Sequence, residues 1–325
     1  WRALLLGPIN ESNMRNKILV IGGAGYIGST LVPVLLNQGY EVTVLDNLLF
    51  NQSALLDCCA NPHFNFVKGD ICDLNLVNSL LPKFDVIIPL AAIVGAPACK
   101  INPTLTKLVN YDAHLNIANN LSHQQMVLFP TTNSGYGIGI GEEYCTEKSP
   151  LNPISLYGKT KVDAEKIILD AGNALSLRLA TVFGVSPRMR MDLIVNDFVY
   201  KAFSDGYLVL FEEHFKRNFI HIHDVAKTFD FCIDNFDKML NESFNVGLSS
   251  ANITKRELAE VIKNHIPDLT IISSEIGEDP DKRNYIVSNE KLEKLGWKAS
   301  KSLDDGIIEL IKCYKILKLN NYSNN

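Results

Sequence analysis

A short apolar run, Lys17 to Ile21 (KILVI), passes without a linker into GGAGYIGS, Gly22 to Ser29, and then into a helical pattern, STLVPVLLNQG. Such a run suits a strand buried on both faces, as in a parallel sheet. Glycines at its end let the backbone turn sharply and come close to a bulky anion. The helix that follows offers unpaired N–H groups and the positive end of its dipole. Strand, glycine turn and helix in that order predict a βαβ unit that holds a dinucleotide pyrophosphate. The glycines read in two ways: Gly23, Gly25 and Gly28 fit G-x-G-x-x-G, whereas Gly22, Gly25 and Gly28 fit G-x-x-G-x-x-G. The spacing does not choose between dinucleotide families.

The pattern then repeats. EVTVLD ends at Asp46, where a carboxylate accepts from adenosine ribose hydroxyls and repels a 2′-phosphate, favouring NAD over NADP. FNFVKGD ends at Asp70, a position suited to the adenine edge, and FDVIIPLAA ends in small residues that let a dinucleotide pass near the backbone. LTKLVNYDAHLNIANNLS reads as a helix carrying Asn110, MVLFPTTNSGYG as a strand and its terminal loop, and ALSLRLATVFG as another sheet strand. Alternating strands and helices imply an α/β chain with a doubly wound parallel sheet, whose ligands sit at the strand carboxyl ends. Residues 14–184 are assigned to this Rossmann domain, and 185–325 mainly to a smaller substrate-binding cap interleaved with the sheet through FNVGL. Residues 1–13 look foreign to the fold and are set aside, with Met14 as the natural start.

In SLYGKTKVDAEK, Ser155 to Lys166, Tyr157 and Lys161 fall one above the other on a single helical face. A cation beside a phenol stabilises the phenolate, and such a tyrosine takes a proton from an alcohol. Thr131-Thr132-Asn133-Ser134 falls at a strand carboxyl end, so the Thr132 hydroxyl is placed to share that proton network.

Composition narrows the partners. The 31 basic and 36 acidic residues are scattered, without a basic stripe for nucleic acid or a polybasic segment for a membrane surface, and no apolar run reaches spanning length. Seven cysteines without a C-x-x-C pair predict reduced thiols in a cytoplasmic protein. His221 and His223 alternate along an apparent strand, but no third ligand at suitable spacing accompanies them, so no metal is assigned. Thr254-Lys255-Arg256-Glu257 reads as a capping box, and Ser302 to Lys318 as a final amphipathic helix.

GGAGYIG, Asp46, LAA at 90–92, Thr132 and YGKTK together resemble the extended short-chain dehydrogenase/reductase family of nucleotide-sugar epimerases, dehydratases and reductases. The resemblance covers roughly residues Met14 to Lys318. It implies Tyr157 as acid/base, Lys161 as the residue that holds the ribose and tunes the tyrosine, and Thr132 as hydroxyl partner. It implies NAD held by Gly22, Gly25, Tyr26, Ile27 and Gly28, by Asp46, Asn47, Asp70 and Ile71, and by Leu90, Ala91, Ala92 and Asn110, together with Tyr157 and Lys161. Ser134, Arg188, Asn196, Arg217 and Arg283 are assigned to a nucleotide-diphospho-sugar, the two last gripping its diphosphate. Relatives commonly pair subunits through the tyrosine helix, so a homodimer or homotetramer is expected.

Departures from the family pattern carry information too. The 4,6-dehydratases usually have Thr-Asp-Glu where this chain has Thr132-Asn133-Ser134, and enzymes epimerising C3 and C5 often have a cysteine at the Ser134 position. Oxidation or reduction at one carbinol, with or without inversion, is what remains. Several longer runs, including IIPLAAIVGAPAC, LATVFGVSPRMRMDLIVNDF and LFEEHFKRNFIH, resemble a subgroup that oxidises C4 of a GDP-linked heptose in bacterial capsule pathways. An epimerase, a 4-keto reductase, or a non-catalytic protein that binds NAD and sugar nucleotides stays open as an alternative.

Overall fold

The computed structural model describes residues 16–139, 143–274 and 283–317; the extension assigned to residues 1–13 lies outside them. Seven strands form the main sheet and are numbered here β1 to β7 in chain order: Lys17–Ile21, Glu41–Asp46, Phe64–Lys68, Val86–Pro89, Met126–Thr132, Ala174–Leu179 and Ser243–Val246. Their spatial order is β7-β6-β5-β4-β1-β2-β3, and every pairing is parallel. The doubly wound sheet expected from the sequence is present. Its order reverses between β1 and β4, which opens a crevice at their carboxyl ends.

Strand alternation distributes the core. Ile18, Val20, Val42, Val44 and Leu128 pack on one face against Leu31 and Leu35 of helix α1 (Gly28–Asn37) and Val225 and Phe229 of helix Ile222–Asp234. Leu19, Ile21, Ile87, Val127 and Phe129 pack on the other, against Ile117 and against Ala164 and Ile168 of the Tyr157 helix. Each such fully buried large apolar side chain contributes about 1.5–3 kcal/mol, and helices thus cover both faces as a parallel sheet requires.

Three local readings change. ALSLRLATVFG is not one strand: Ala180 still donates to the Val246 carbonyl at 2.8 Å, but Thr181–Phe183 leaves the main sheet and pairs with Phe219–His221. The predicted helix around Asn110 forms but changes its winding, running from Pro103–Lys107 through a π-helical turn, Leu108–Asp112, into Ala113–Asn120. His221 and His223 do not alternate on a strand. His221 ends one, its Nδ1 accepting from the His223 N–H at 3.2 Å as the N-cap of Ile222–Asp234, and His223 lies inside that helix. The Thr254–Glu257 capping box is formed, and the final helix, Leu303–Tyr314, is capped by Ser302.

Candidate active site

A cavity of about 940 Å³ runs along the crevice at the strand carboxyl ends. Its cofactor side begins at the glycine turn. Gly22 has φ +83, and a Cβ there would stand 2.6 Å from the Ala91 nitrogen; one on Gly28 would stand 2.4 Å from the Gly23 carbonyl oxygen. Only glycine permits this approach of two strand ends and a helix. No acidic residue sits in the first turn of α1, so its positive end faces the cavity uncompensated.

The end of β2 supplies the next wall. Asp46 accepts from the Ala24 N–H at 2.9 Å and the Leu48 N–H at 2.8 Å, which fixes its carboxylate between the glycine turn and the β2 turn. Burial pushes its pKa up, against those two hydrogen bonds. Asp70 accepts from the Asn47 amide at 2.9 Å and the Cys72 N–H at 2.9 Å. Burial raises this carboxyl too, but the hydrogen bonds outweigh it and hold the group below its ordinary value. Gly25, Tyr26, Ile27, Ile71, Leu90, Ala91 and Ala92, all expected at the cofactor, line the same cavity.

The chemical end is built from β5 and the helix Leu156–Asp170. Ser155 caps that helix, accepting from Gly158 N–H at 3.1 Å, which sets Tyr157 in its first turn facing the end of β5. Thr132 Oγ1 and Ser134 Oγ lie 2.8 Å apart, and the Arg283 guanidinium donates to Ser134. Tyr157, Lys161, Thr132 and Ser134 all face the cavity.

The electrostatics differ from the simple expectation that Lys161 lowers Tyr157. Burial dominates and raises the phenol pKa; Arg190, Arg283 and the Thr132 hydrogen bond pull it down, and Cys99 adds to the rise. Burial also drives the Lys161 ammonium down to about 7, against the charge of Glu165. The Lys161 Nζ stands 4.1 Å from the Phe129 ring centroid. Phe129 was not predicted. Its signal is the strand period, because Phe129 and Thr131 share a face of β5 and that face meets the Tyr157 helix.

Two expected contacts move off the cavity wall. Asn110, at 0 % exposure, accepts from the Ile93 N–H at 2.8 Å and donates to the Ile93 carbonyl at 2.9 Å and to Thr160 at 3.4 Å. It therefore ties the turn after β4 to the Tyr157 helix. Asn196 is equally buried, accepting from Gly184 N–H at 3.0 Å and donating to the Arg190 carbonyl at 2.8 Å and the Tyr26 hydroxyl at 3.3 Å. Tyr26 in turn donates to the Gly184 carbonyl at 2.7 Å, so this group joins the glycine turn to the segment after Phe183. Arg188, Arg217 and Arg283 remain on the wall. Arg190 and Lys255 join them without having been assigned. The Lys255 ammonium donates to the Phe211 carbonyl, and its position as the first residue of a capped helix hid it as an ordinary scaffold lysine.

The glycine cradle, the open α1 terminus and the paired Asp46 and Asp70 carboxylates fit a dinucleotide. Comparison with known proteins agrees. The family described as "NAD dependent epimerase/dehydratase family" matches residues 18–247. UDP-glucuronic acid decarboxylase 1 of Arabidopsis thaliana is 29% identical, over 96% of this chain and 73% of that protein. UDP-glucose 4-epimerase of Lactobacillus helveticus is 29% identical, over 92% of this chain and 97% of its own. The UDP-Glc/GlcNAc 4-epimerase structure from Campylobacter jejuni superposes with a TM-score of 0.79 at 25% identity, covering 92% of this chain and 99% of that one. The Thermus thermophilus UDP-glucose 4-epimerase complex with NAD gives 0.79 at 24% identity, covering 92% and 99%. With a match spanning most of the sheet and a site shaped for the dinucleotide, the chain belongs to the NAD-dependent epimerase/dehydratase family and is an enzyme of the oxidoreductase type.

Proposed function

We propose that the protein uses NAD to oxidise the C4 hydroxyl of a nucleotide-diphospho-sugar to the 4-keto sugar, with GDP-D-glycero-D-manno-heptose as substrate, in bacterial capsule polysaccharide synthesis. One observation carries the reaction type. The groups that act on the Tyr157 phenol are the Thr132 hydroxyl, the Arg190 and Arg283 cations and the Cys99 thiol, and no carboxylate is among them. Four aspartates line the cavity among the described residues. Asp46 and Asp70 belong to the β2 and β3 ends, Asp192 pairs with Arg190 at 2.5 Å, and Asp197 pairs with Lys201 at 2.8 Å. Elimination of water needs a further acid and base at the sugar, and each of these four carboxylates is already engaged by a hydrogen bond or an ion pair.

Bound NAD supplies the hydride acceptor and a positive ring that favours the phenolate. With the cofactor bound, Tyr157 would act as the base that takes the C4 hydroxyl proton as the C4–H electron pair leaves. The Thr132 hydroxyl holds the sugar oxygen on that line, and Arg190 and Arg283 lower the cost of negative charge at the phenol. Arg217 and Arg283 are assigned to the substrate diphosphate, which the bidentate geometry of guanidinium suits. Choice of the GDP-heptose rests on the likeness of the longer runs quoted above. A cytoplasmic site accords with seven cysteines that form no disulfide, and no helix among the described residues is long and apolar enough to cross a membrane.

C4 epimerisation is the second reading, favoured by the relatives named as 4-epimerases. It uses the same residues, with the ketone rotating in place before the hydride returns. The test is to incubate the protein with a panel of GDP-, UDP- and dTDP-sugars, following nicotinamide absorbance and resolving products by mass spectrometry and NMR. A product lighter by two hydrogens with NADH formed supports oxidation. An isomer of unchanged mass supports epimerisation, loss of water overturns both, and turnover of none of the panel returns the protein to a binding role.

A further inference from the structure

Arg188, expected at the substrate, is rooted on the cofactor side. Its N–H donates to Ser29 Oγ in the first turn of α1 at 3.3 Å. Ser29 is 2.9 Å from Ser186 Oγ, which donates to the Tyr26 carbonyl at 2.7 Å, so the segment around residue 188 is stitched to the glycine turn. The guanidinium donates to the Met189 carbonyl and lies 4.4 Å from the ring centroid of Phe50.

Phe50 stands in the turn that leaves β2 after Asp46. That turn is pre-set: Leu48 and Asn51 have φ of 56 and 50, Asn51 N–H donates to the Leu48 carbonyl at 2.9 Å, and Leu48 N–H is held by Asp46 itself. Non-glycine residues adopt such angles only where their surroundings impose them. Packing does not explain the ring's position, since Phe50 keeps 47 % of its surface exposed while Arg188 keeps 7 %. Both residues line the same cavity as the glycine turn and Asp46, and they come from different segments, the β2 turn and the segment after Phe183.

We propose that Arg188 and Phe50 form a clasp across the adenosine and pyrophosphate half of the bound dinucleotide and set how long the reduced cofactor stays. The cation over an aromatic face is a contact that re-forms each time the groove closes, and it costs little to open. Release of NADH then requires parting the two rims. On the reaction proposed above, this lifetime also decides whether NADH leaves with the ketone or returns its hydride.

The test reads the cofactor alone, so it stands whether or not the sugar assignment does. Protein is loaded with NADH, mixed rapidly with excess ADP-ribose as competitor, and the decay of bound-NADH fluorescence is recorded. Phe50→Leu and Arg188→Met are each expected to release NADH about three- to tenfold faster than the unaltered protein, and Phe50→Trp to release it no faster. The double variant should be no faster than either single one, because both remove the same contact. Unchanged release in Phe50→Leu, or effects that multiply in the double variant, overturns the clasp. Thermal unfolding without NADH checks that the half-exposed Phe50 position leaves the fold intact; should Phe50→Leu unfold, the comparison of Arg188→Met with the unaltered protein decides alone.

Discussion

The most exposed consequence of the site's construction is an acid lability placed at one residue. His114 lies on the helix behind the Tyr157 helix with 0 % exposure, its ring 5.2 Å from that of Phe129 in an edge-on arrangement, and neither ring nitrogen makes a well-formed hydrogen bond. Burial, with a further contribution from the Lys161 charge, pushes its pKa down to about 3 from 6.5, against the weaker pull of the main chain at Pro89, Val109 and Asn110. A base whose folded pKa is depressed takes up its proton more readily in the unfolded chain. Stability is therefore whole above about pH 6.5 and is lost as pH falls from there toward about 3. At about pH 4.5, roughly two pH units below the unfolded value, the loss is about 3 kcal/mol at 1.36 kcal/mol per unit. His114→Leu keeps comparable volume and removes the titration. Urea unfolding followed by circular dichroism at about pH 7.5 and pH 4.5 measures it: the unaltered protein should lose about 3 kcal/mol more than the variant between the two. Near neutrality the variant should equal or exceed the parent, since two poorly satisfied buried nitrogens are removed. Equal losses in the two proteins would show that His114 is not held neutral by its surroundings and would refute the reasoning.

Other substitutions probe other parts of the molecule. Tyr157→Phe should lower turnover by about 10²–10⁴-fold with the urea unfolding midpoint nearly unchanged, because the phenol oxygen serves the proton and not the fold. Arg178 donates to Glu165 at 2.9 Å and to the Tyr136 hydroxyl at 3.2 Å in the interior, so Arg178→Met leaves a buried carboxylate unpaired and should cost about 3–5 kcal/mol in urea unfolding. Adding Glu165→Leu should recover much of that loss, and a double variant no more stable than the single would contradict the pairing. Gly22→Ala, with a Cβ driven to 2.6 Å from the Ala91 backbone at positive φ, should weaken NAD binding at least tenfold in a calorimetric titration and lower the unfolding midpoint.

Much of the fold was legible because its signals are local. Buried parallel strands announce themselves as continuous apolar runs, the glycine turn marks the first of them, and the repetition of strand and helix gives the doubly wound class. The placement of the candidate pair was legible for the same reason, since Tyr157 and Lys161 share one helical turn and both line the cavity. What escaped depends on contacts between distant segments. Nothing local separates Thr181–Phe183 from the strand before it, and the break comes from a parallel pairing with Phe219–His221. Asn110 and Asn196 look like any polar residues on amphipathic helices, and only the tertiary structure shows that each spends its amide on main-chain groups behind the wall. The direction of the tyrosine's shift lies beyond sequence reading, because helix spacing shows the nearby cation but not the burial that both groups share, and burial outweighs the pair.

That shared burial bears on which product the site yields. Oxidation and epimerisation start with the same proton transfer to Tyr157, so neither Tyr157, Lys161 nor Thr132 can favour one over the other. The difference lies in what happens while the ketone and reduced cofactor are both bound. Return of the hydride to the opposite face needs the sugar to rotate before either partner leaves, so whatever lengthens the cofactor's stay favours the epimer. Whatever grips the sugar's diphosphate while freeing its ring does the same. On the proposals above, the two controls sit on different segments, the first on the β2 turn and residue 188, the second on Arg217 and Arg283. If those proposals hold, partition between ketone and epimer should shift on substitutions at Phe50, Arg188, Arg217 or Arg283 that leave the proton-transfer residues untouched.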